Sequence, residues 1–130
     1  MFKESNAFSG FSVDDIEKAK DFYGNTLGIE TELSDAGLAL NIPGRRPVFI
    51  YPKDNHQPAT YTVLNFPVGS VDAVVDDLAA AGVTMEHYGP DFGQDEKGIS
   101  RDPRGPVIAW FKDPAGNILS VIEESPEQDA

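Results

Sequence analysis

The chain contains no cysteine, so disulfides, thiolate metal sites and thiol nucleophiles are excluded together. Basic side chains are scarce: 10 Lys and Arg stand against 22 Asp and Glu, a formal net charge of -12. Counterion release on nucleic acids and attraction to anionic lipids both need clustered Lys and Arg, so neither nucleic acid nor membrane is an expected partner. No apolar run approaches the ~18 residues of a membrane span, and residues 1–10 lack the apolar stretch of a secretory signal. A cytoplasmic location is the resulting expectation. No Gly-x-Ser-x-Gly elbow occurs, which leaves serine-nucleophile chemistry without support.

What is present is the composition of an ordinary globular protein, 40% hydrophobic and 25% charged. A domain of 130 residues typically buries about two-thirds of the surface of its unfolded chain, enough for a core without covalent staples. The acidic surplus has two readings: solubility, or a cleft that favours a cationic ligand.

Residues 7–13 read as a short strand, and Asp14 with Glu17 forms the capping-box pattern of a helix start. Ile16, Ala19, Phe22, Tyr23 and Leu27 then recur at helical spacing until Gly28 supplies the stop. Strands are predicted at residues 30–34, 38–42 and 48–51, which completes a βαβββ unit. Residues 52–58, polar and bounded by prolines, read as a linker.

The pattern then restarts. Residues 61–67 form a strand, Ser70 is the expected N-cap, and Val71, Val74, Val75 and Leu78 mark a helical face that stops at Gly82. Placing Phe11-Ser12-Val13 on Phe66-Pro67-Val68 also puts Ile16 on Val71, Glu17 on Asp72 and Asp21 on Asp76. Both helices end in Gly followed by a branched residue, Gly28-Ile29 and Gly82-Val83, one deletion apart. Two copies are too few for an array, so they are expected to pair with each other. The expected organisation is one domain, residues 1–130, of two repeats over about 6–52 and 59–124.

The second unit closes with strands at residues 107–112 and 118–122 joined by Asp113-Pro114-Ala115-Gly116-Asn117, a sequence suited to a tight reversal. Between helix and hairpin lies a long Gly- and charge-rich stretch, residues 88–105. Compact domains rarely carry such a loop without using it, so it is a candidate lid or binding loop.

Val13-Asp14-Asp15-Ile16 leading to Asp21-Phe22-Tyr23 and Leu27-Gly28, the restart over residues 68–82, and Phe111 through Asn117 occur in one order. In that order and spacing the chain resembles the vicinal oxygen chelate superfamily, which includes glyoxalases, bleomycin-resistance proteins, fosfomycin-modifying enzymes and extradiol dioxygenases. The resemblance runs from about Phe8 to Glu124. It implies an α+β fold of two tandem βαβββ modules, forming curved mixed sheets around a cavity, and a homodimer. In metal-using members four His, Glu or Gln ligands come from fixed strand positions. Here those positions fall on Phe8, Val63, Ser120 and the strand Phe49-Ile50-Tyr51. A divalent cation needs several imidazoles or carboxylates converging on one point, so no metal and no cofactor is expected. The two histidines, His56 in the linker and His87 after the second helix, lie at none of these positions.

If the cavity between the modules persists without metal, its walls are expected to include Phe8, Tyr51, Val63, Phe66, Trp110 and Ser120, an aromatic lining of the kind small-molecule sites have. Gln94, Asp95, Glu96 and Lys97, between Gly93 and Gly98, are the polar candidates for a segment that moves over an opening. Three functions stay open at this point. The chain is a binder of a small, cationic or aromatic molecule in the manner of bleomycin-resistance proteins; a metal-independent or relocated-metal lyase or isomerase of glyoxalase type; or a dimeric structural or regulatory domain with a vestigial cavity.

Overall fold

The computed structural model describes residues 1–124. Its fold is α+β, and its contacts divide the chain between Pro58 and Ala59, at the end of the Pro-bounded linker.

The first unit runs β1 (Gly10–Val13), α1 (Ile16–Lys20), β2 (Glu30–Leu33), β3 (Leu38–Asn41) and β4 (Val48–Pro52). These strands form one sheet in the order β1-β4-β3-β2, with β1 and β4 parallel and the other pairs antiparallel. The capping residue of α1 is Asp15 rather than Asp14: its carboxylate accepts from the N–H groups of Glu17 and Lys18. The predicted single helix to Leu27 instead widens after Lys20 into a π-helical turn over Asp21–Thr26, with the Leu27 N–H donating to the Phe22 carbonyl at 2.9 Å. Gly24 lies in that turn where an added Cβ would stand 3.3 Å from the Thr31 hydroxyl, so the glycine lets the turn close on β2. One face of the sheet buries Val13, Leu38, Leu40, Val48 and Ile50 with Ala19 and Tyr23. The alternate residues Ser12, Phe49 and Tyr51 take the other face, as the two-residue period of a strand requires.

The second unit contains β5 (Thr62–Val68), α2 (Val71–Ala80), β6 (Ile108–Lys112) and β7 (Ile118–Glu123), in the sheet order β5-β7-β6. Where the first unit has β2, this one has isolated bridges to β6: Met85 with Phe111, backed by the Glu86 N–H donating to the Trp110 carbonyl at 2.8 Å, and Ser100 with Ile108, whose N–H groups donate to each other's carbonyls at 2.8 Å and 3.2 Å. Between them Gly89 and Pro90 take the chain out of the ladder. Ser70 caps α2 by accepting from the Ala73 N–H, and the helix ends with the Val83 N–H on the Leu78 carbonyl and Gly82 at φ 87°. Val71, Val75 and Leu78 are its buried stripe, packed on β6 and β7. Asp113 holds the terminal hairpin: its carboxylate accepts from the N–H groups of Ala115 and Asn117 and from the Asn117 amide.

Register assigns the two faces of this sheet. Leu64, Leu119 and Phe111 form one cross-strand row facing α2, and Phe66, Val121 and Ala109 form the next. Asn65, Ser120 and Trp110 form a row on the opposite face. The pairing of β5 slips between Thr62 and Leu64, which leaves Val63 as the extra residue of a bulge. No helix among the described residues is long and apolar enough to cross a membrane.

Candidate functional site

A pocket of about 230 Å³ opens in the second unit, lined by Thr60, Tyr61, Thr62, Tyr88, Phe92, Trp110 and Ile118. Its floor is the face of the sheet turned away from α2, where Thr62 and Ile118 are register partners and Trp110 stands opposite Ser120. Its wall is a triad of rings. Tyr88 meets Trp110 edge-on at 5.5 Å, Phe92 meets Trp110 edge-on at 6.2 Å, and Tyr88 and Phe92 are 5.7 Å apart. These are favourable quadrupole geometries, yet Tyr88 is 38% exposed and Phe92 49%, so two of the three rings keep a free surface toward solvent.

The residues 86–101 hold two of those rings in place. Phe92 ends a short 3-10 turn (Pro90–Phe92) set between Gly89 at φ 106° and Gly93 at φ 65°, conformations that disfavour a side chain. The Ser100 hydroxyl donates to the Phe92 carbonyl. The Gln94 side-chain carbonyl accepts from the Tyr88 N–H at 2.5 Å, and its amide donates to the carbonyls of Glu86 at 2.9 Å and Gly98 at 2.8 Å. Burial raises the Tyr88 phenol above its ordinary range, and the negative charge of Glu86 adds to the effect. The hydroxyl is therefore protonated at neutral pH and available as a donor.

Asp95 accepts from the N–H groups of Lys97 and Ile99 and from the Arg101 guanidinium. Burial pushes its carboxyl upward, but the bonds from Ile99, Arg101 and Lys97 outweigh that and hold it below the usual carboxylate range. Asp72 is lowered chiefly by the Arg101 guanidinium, and Asp102 is drawn down to about 2 by the Arg104 side chain and then by the Arg104 N–H. A depressed carboxylate contributes stability that is complete above its unfolded value near ~4 and is lost as pH falls toward its folded value. The Asp95 turn is therefore expected to hold above about pH 4 and to loosen over an acidic window that opens below it. Amide hydrogen exchange at Lys97 and Ile99 should accelerate in that window relative to the amides of β7; equal protection at both ends of the window would contradict this.

Of the residues singled out in the sequence, Trp110 lines the pocket. Ser120 is fully buried beside it, its hydroxyl donating to the Asn65 carboxamide at 2.5 Å. Val63 sits at the bulge and Phe66 on the α2 side of β5, on the face opposite Trp110 and Ser120. Gln94 and Asp95 bond within the loop, and Glu96 is exposed on it. Phe8 and Tyr51 belong to the first unit. Phe8 is 60% exposed ahead of β1 under the Arg46 guanidinium at 5.7 Å, and Tyr51 stacks on Phe49 at 6.3 Å. Tyr61, Tyr88 and Phe92 were not anticipated from the sequence. The available signal was the spacing Tyr88-Gly89-Pro90-Asp91-Phe92, two aromatics across a Gly-Pro bend inside the suspect loop.

At the four strand positions that hold metal ligands in metal-using relatives, the side chains present do not suit a divalent cation. Phe8, Val63 and the strand Phe49-Ile50-Tyr51 offer no imidazole or carboxylate, and the Ser120 hydroxyl is engaged by Asn65. Among the described residues, no three His, Asp or Glu side chains gather closely enough to hold an ion.

A parallel-edged βαβββ unit, followed by a second with the same strand order and a reduced edge, defines a class of tandem two-module proteins. The model of the Glyoxalase/Bleomycin resistance protein/Dioxygenase superfamily matches residues 8–121, and the chain belongs to that superfamily. No curated protein sequence matches it. Among solved structures it is similar to FosX, a genomically encoded fosfomycin resistance protein from Listeria monocytogenes, at 21% identity over 95% of this chain and 96% of that one, with a TM-score of 0.69. It is also similar to a superfamily member from Sphaerobacter thermophilus DSM 20745 at 27% identity, covering 91% and 97% of the two chains, with a TM-score of 0.67. TnmS3, an antibiotic binding protein from Streptomyces sp. CB03234, is 26% identical over 92% of this chain and 96% of that one, with a TM-score of 0.65.

Proposed function

We propose that this chain is a small-molecule-binding protein that holds an aromatic ligand against Tyr88, Phe92 and Trp110. The observation that carries the reading is the composition of the pocket: four aromatic side chains, two threonine hydroxyls and one isoleucine, none of them charged. Ring faces and a few hydroxyls can hold and orient a flat molecule, but they supply no strong acid, base or electrophile for turnover. The similarity to TnmS3 supports a binder, and the residues at the metal-ligand positions of metal-using relatives support one that works without metal. The net charge of -12 favours ligands that are also cationic, because the field of the whole protein concentrates them. A homodimer in the cytoplasm, with no nucleic-acid or membrane partner, belongs to the same reading.

Trp110 is the single tryptophan of the chain, so its emission reports the pocket directly. Titration with a panel of polycyclic aromatic antibiotics and cationic glycopeptides is expected to change that emission saturably for at least one compound. At ~100-fold over its Kd that compound should stabilise the protein by about 2.7 kcal/mol. A stoichiometric divalent metal in the purified protein, together with turnover of a glutathione thiohemiacetal, would overturn the binder in favour of an enzyme.

A further inference from the structure

We infer that Arg101 is a positioning residue for the aromatic pocket, acting through an ionic latch between α2 and the loop that carries Tyr88 and Phe92. The inference rests on reading that pocket as the ligand site, but its test needs no ligand. Asp72 and Asp76 lie four residues apart on α2, a like-charge pair that an isolated helix disfavours. Two cations from the loop cover it: Arg101 reaches Asp72 at 2.6 Å, and Lys97 reaches Asp76 at 2.8 Å and Asp72 at 3.6 Å. The same Arg101 guanidinium holds Asp95 at 3.1 Å, and Asp95 closes the turn to Ile99.

From that turn, direct bonds lead to the rings. The Arg101 N–H donates to the Gly93 carbonyl at 3.3 Å, Ser100 holds the Phe92 carbonyl, and Gln94 holds the Tyr88 N–H. Gly89 and Gly93, at positive φ on either side of Phe92, are the places where the wall can bend if the latch lets go. The latch is also made to let go. Its side chains are between 33% and 68% exposed, so salt screens them readily. An uncharged pocket thereby acquires a dependence on ionic strength opposite to the ordinary one, since salting-out strengthens apolar burial.

The experiment is acrylamide quenching of Trp110 in the ligand-free protein between about 0.02 M and 0.5 M NaCl, over which the Debye length falls from about 20 Å to about 4 Å. The quenching constant of the wild type is expected to rise roughly twofold, because the ion pairs between the loop and α2 are exposed and salt screens them while the hydrogen bonds within the loop persist. Arg101→Gln and Asp72→Asn should both start at the raised value and stay flat with salt. Arg101→Lys, which keeps the charge but not the two-sided grip, should recover part of the response. Asp77→Asn, the same charge change elsewhere on α2, should respond like the wild type. Far-UV circular dichroism checks that each variant is folded. A wild type insensitive to salt, or an Arg101→Gln variant with the wild-type response, would overturn the latch while leaving the ligand site standing. Absence of any ligand in the titration above would remove the ligand site while leaving the latch measurable.

Discussion

Phe111→Ala is expected to destabilise the second unit by about 4 kcal/mol, the cost of deleting a large side chain from a packed core. Phe111 is 1% exposed at the end of the row Leu64–Leu119–Phe111, under the α2 stripe, and its backbone also bridges to Met85. The site has little room to collapse, because Leu119 and Ala109 beside it are fully buried and Val71 of α2 is too. A chain of this size should lose about 15 °C in Tm. Urea unfolding followed by far-UV circular dichroism measures it; a loss below about 1 kcal/mol would mean that the ring is not the centre of this core.

That core was largely legible in the sequence, for a physical reason. The Ser70 cap, the Val71–Val75–Leu78 stripe, the stop at Gly82 and the Asp113–Asn117 reversal are all local, set by residues within one turn of each other. What depended on distant partners was harder to see. Asp14 and Asp15 compete for one cap, and only the backbone angle of residue 15 decides it. The π-helical turn answers to Thr31, a residue of another strand. The long loop was identified as important, but its charges were expected over an opening, whereas Asp95, Lys97 and Arg101 bond to one another and to α2. Phe66 shows how much a repeat can say when it is followed through. It aligns with Phe11, and Phe11 packs its ring against Tyr23 on the helix side of its own sheet, which already places Phe66 on the face away from Trp110. The bulge at Val63 could not be read, since one inserted residue changes which face every earlier side chain meets.

Tyr88→Ala is expected to weaken binding of the aromatic ligand by about 30-fold or more, equivalent to losing a hot-spot contact of ~2 kcal/mol. The ring touches both other members of the triad, so its removal takes away one wall and leaves the edge of Trp110 facing water. Stability should change little by comparison with Phe111→Ala, because Tyr88 is 38% exposed and its N–H remains held by Gln94. Tyr88→Phe divides the contribution. It keeps the ring and removes a hydroxyl whose proton is retained at neutral pH, so a loss of about 3–10-fold would assign a hydrogen bond to that hydroxyl. Isothermal titration of the three proteins with one ligand distinguishes the cases. If Tyr88→Ala lowered Tm but left Kd unchanged, the triad would be packing beneath the loop and the ligand would have to sit elsewhere. If Kd rose and Tm held, the ring is there for the ligand, and the exposure that makes Tyr88 and Phe92 costly to a free protein is explained by what covers them when the pocket is filled.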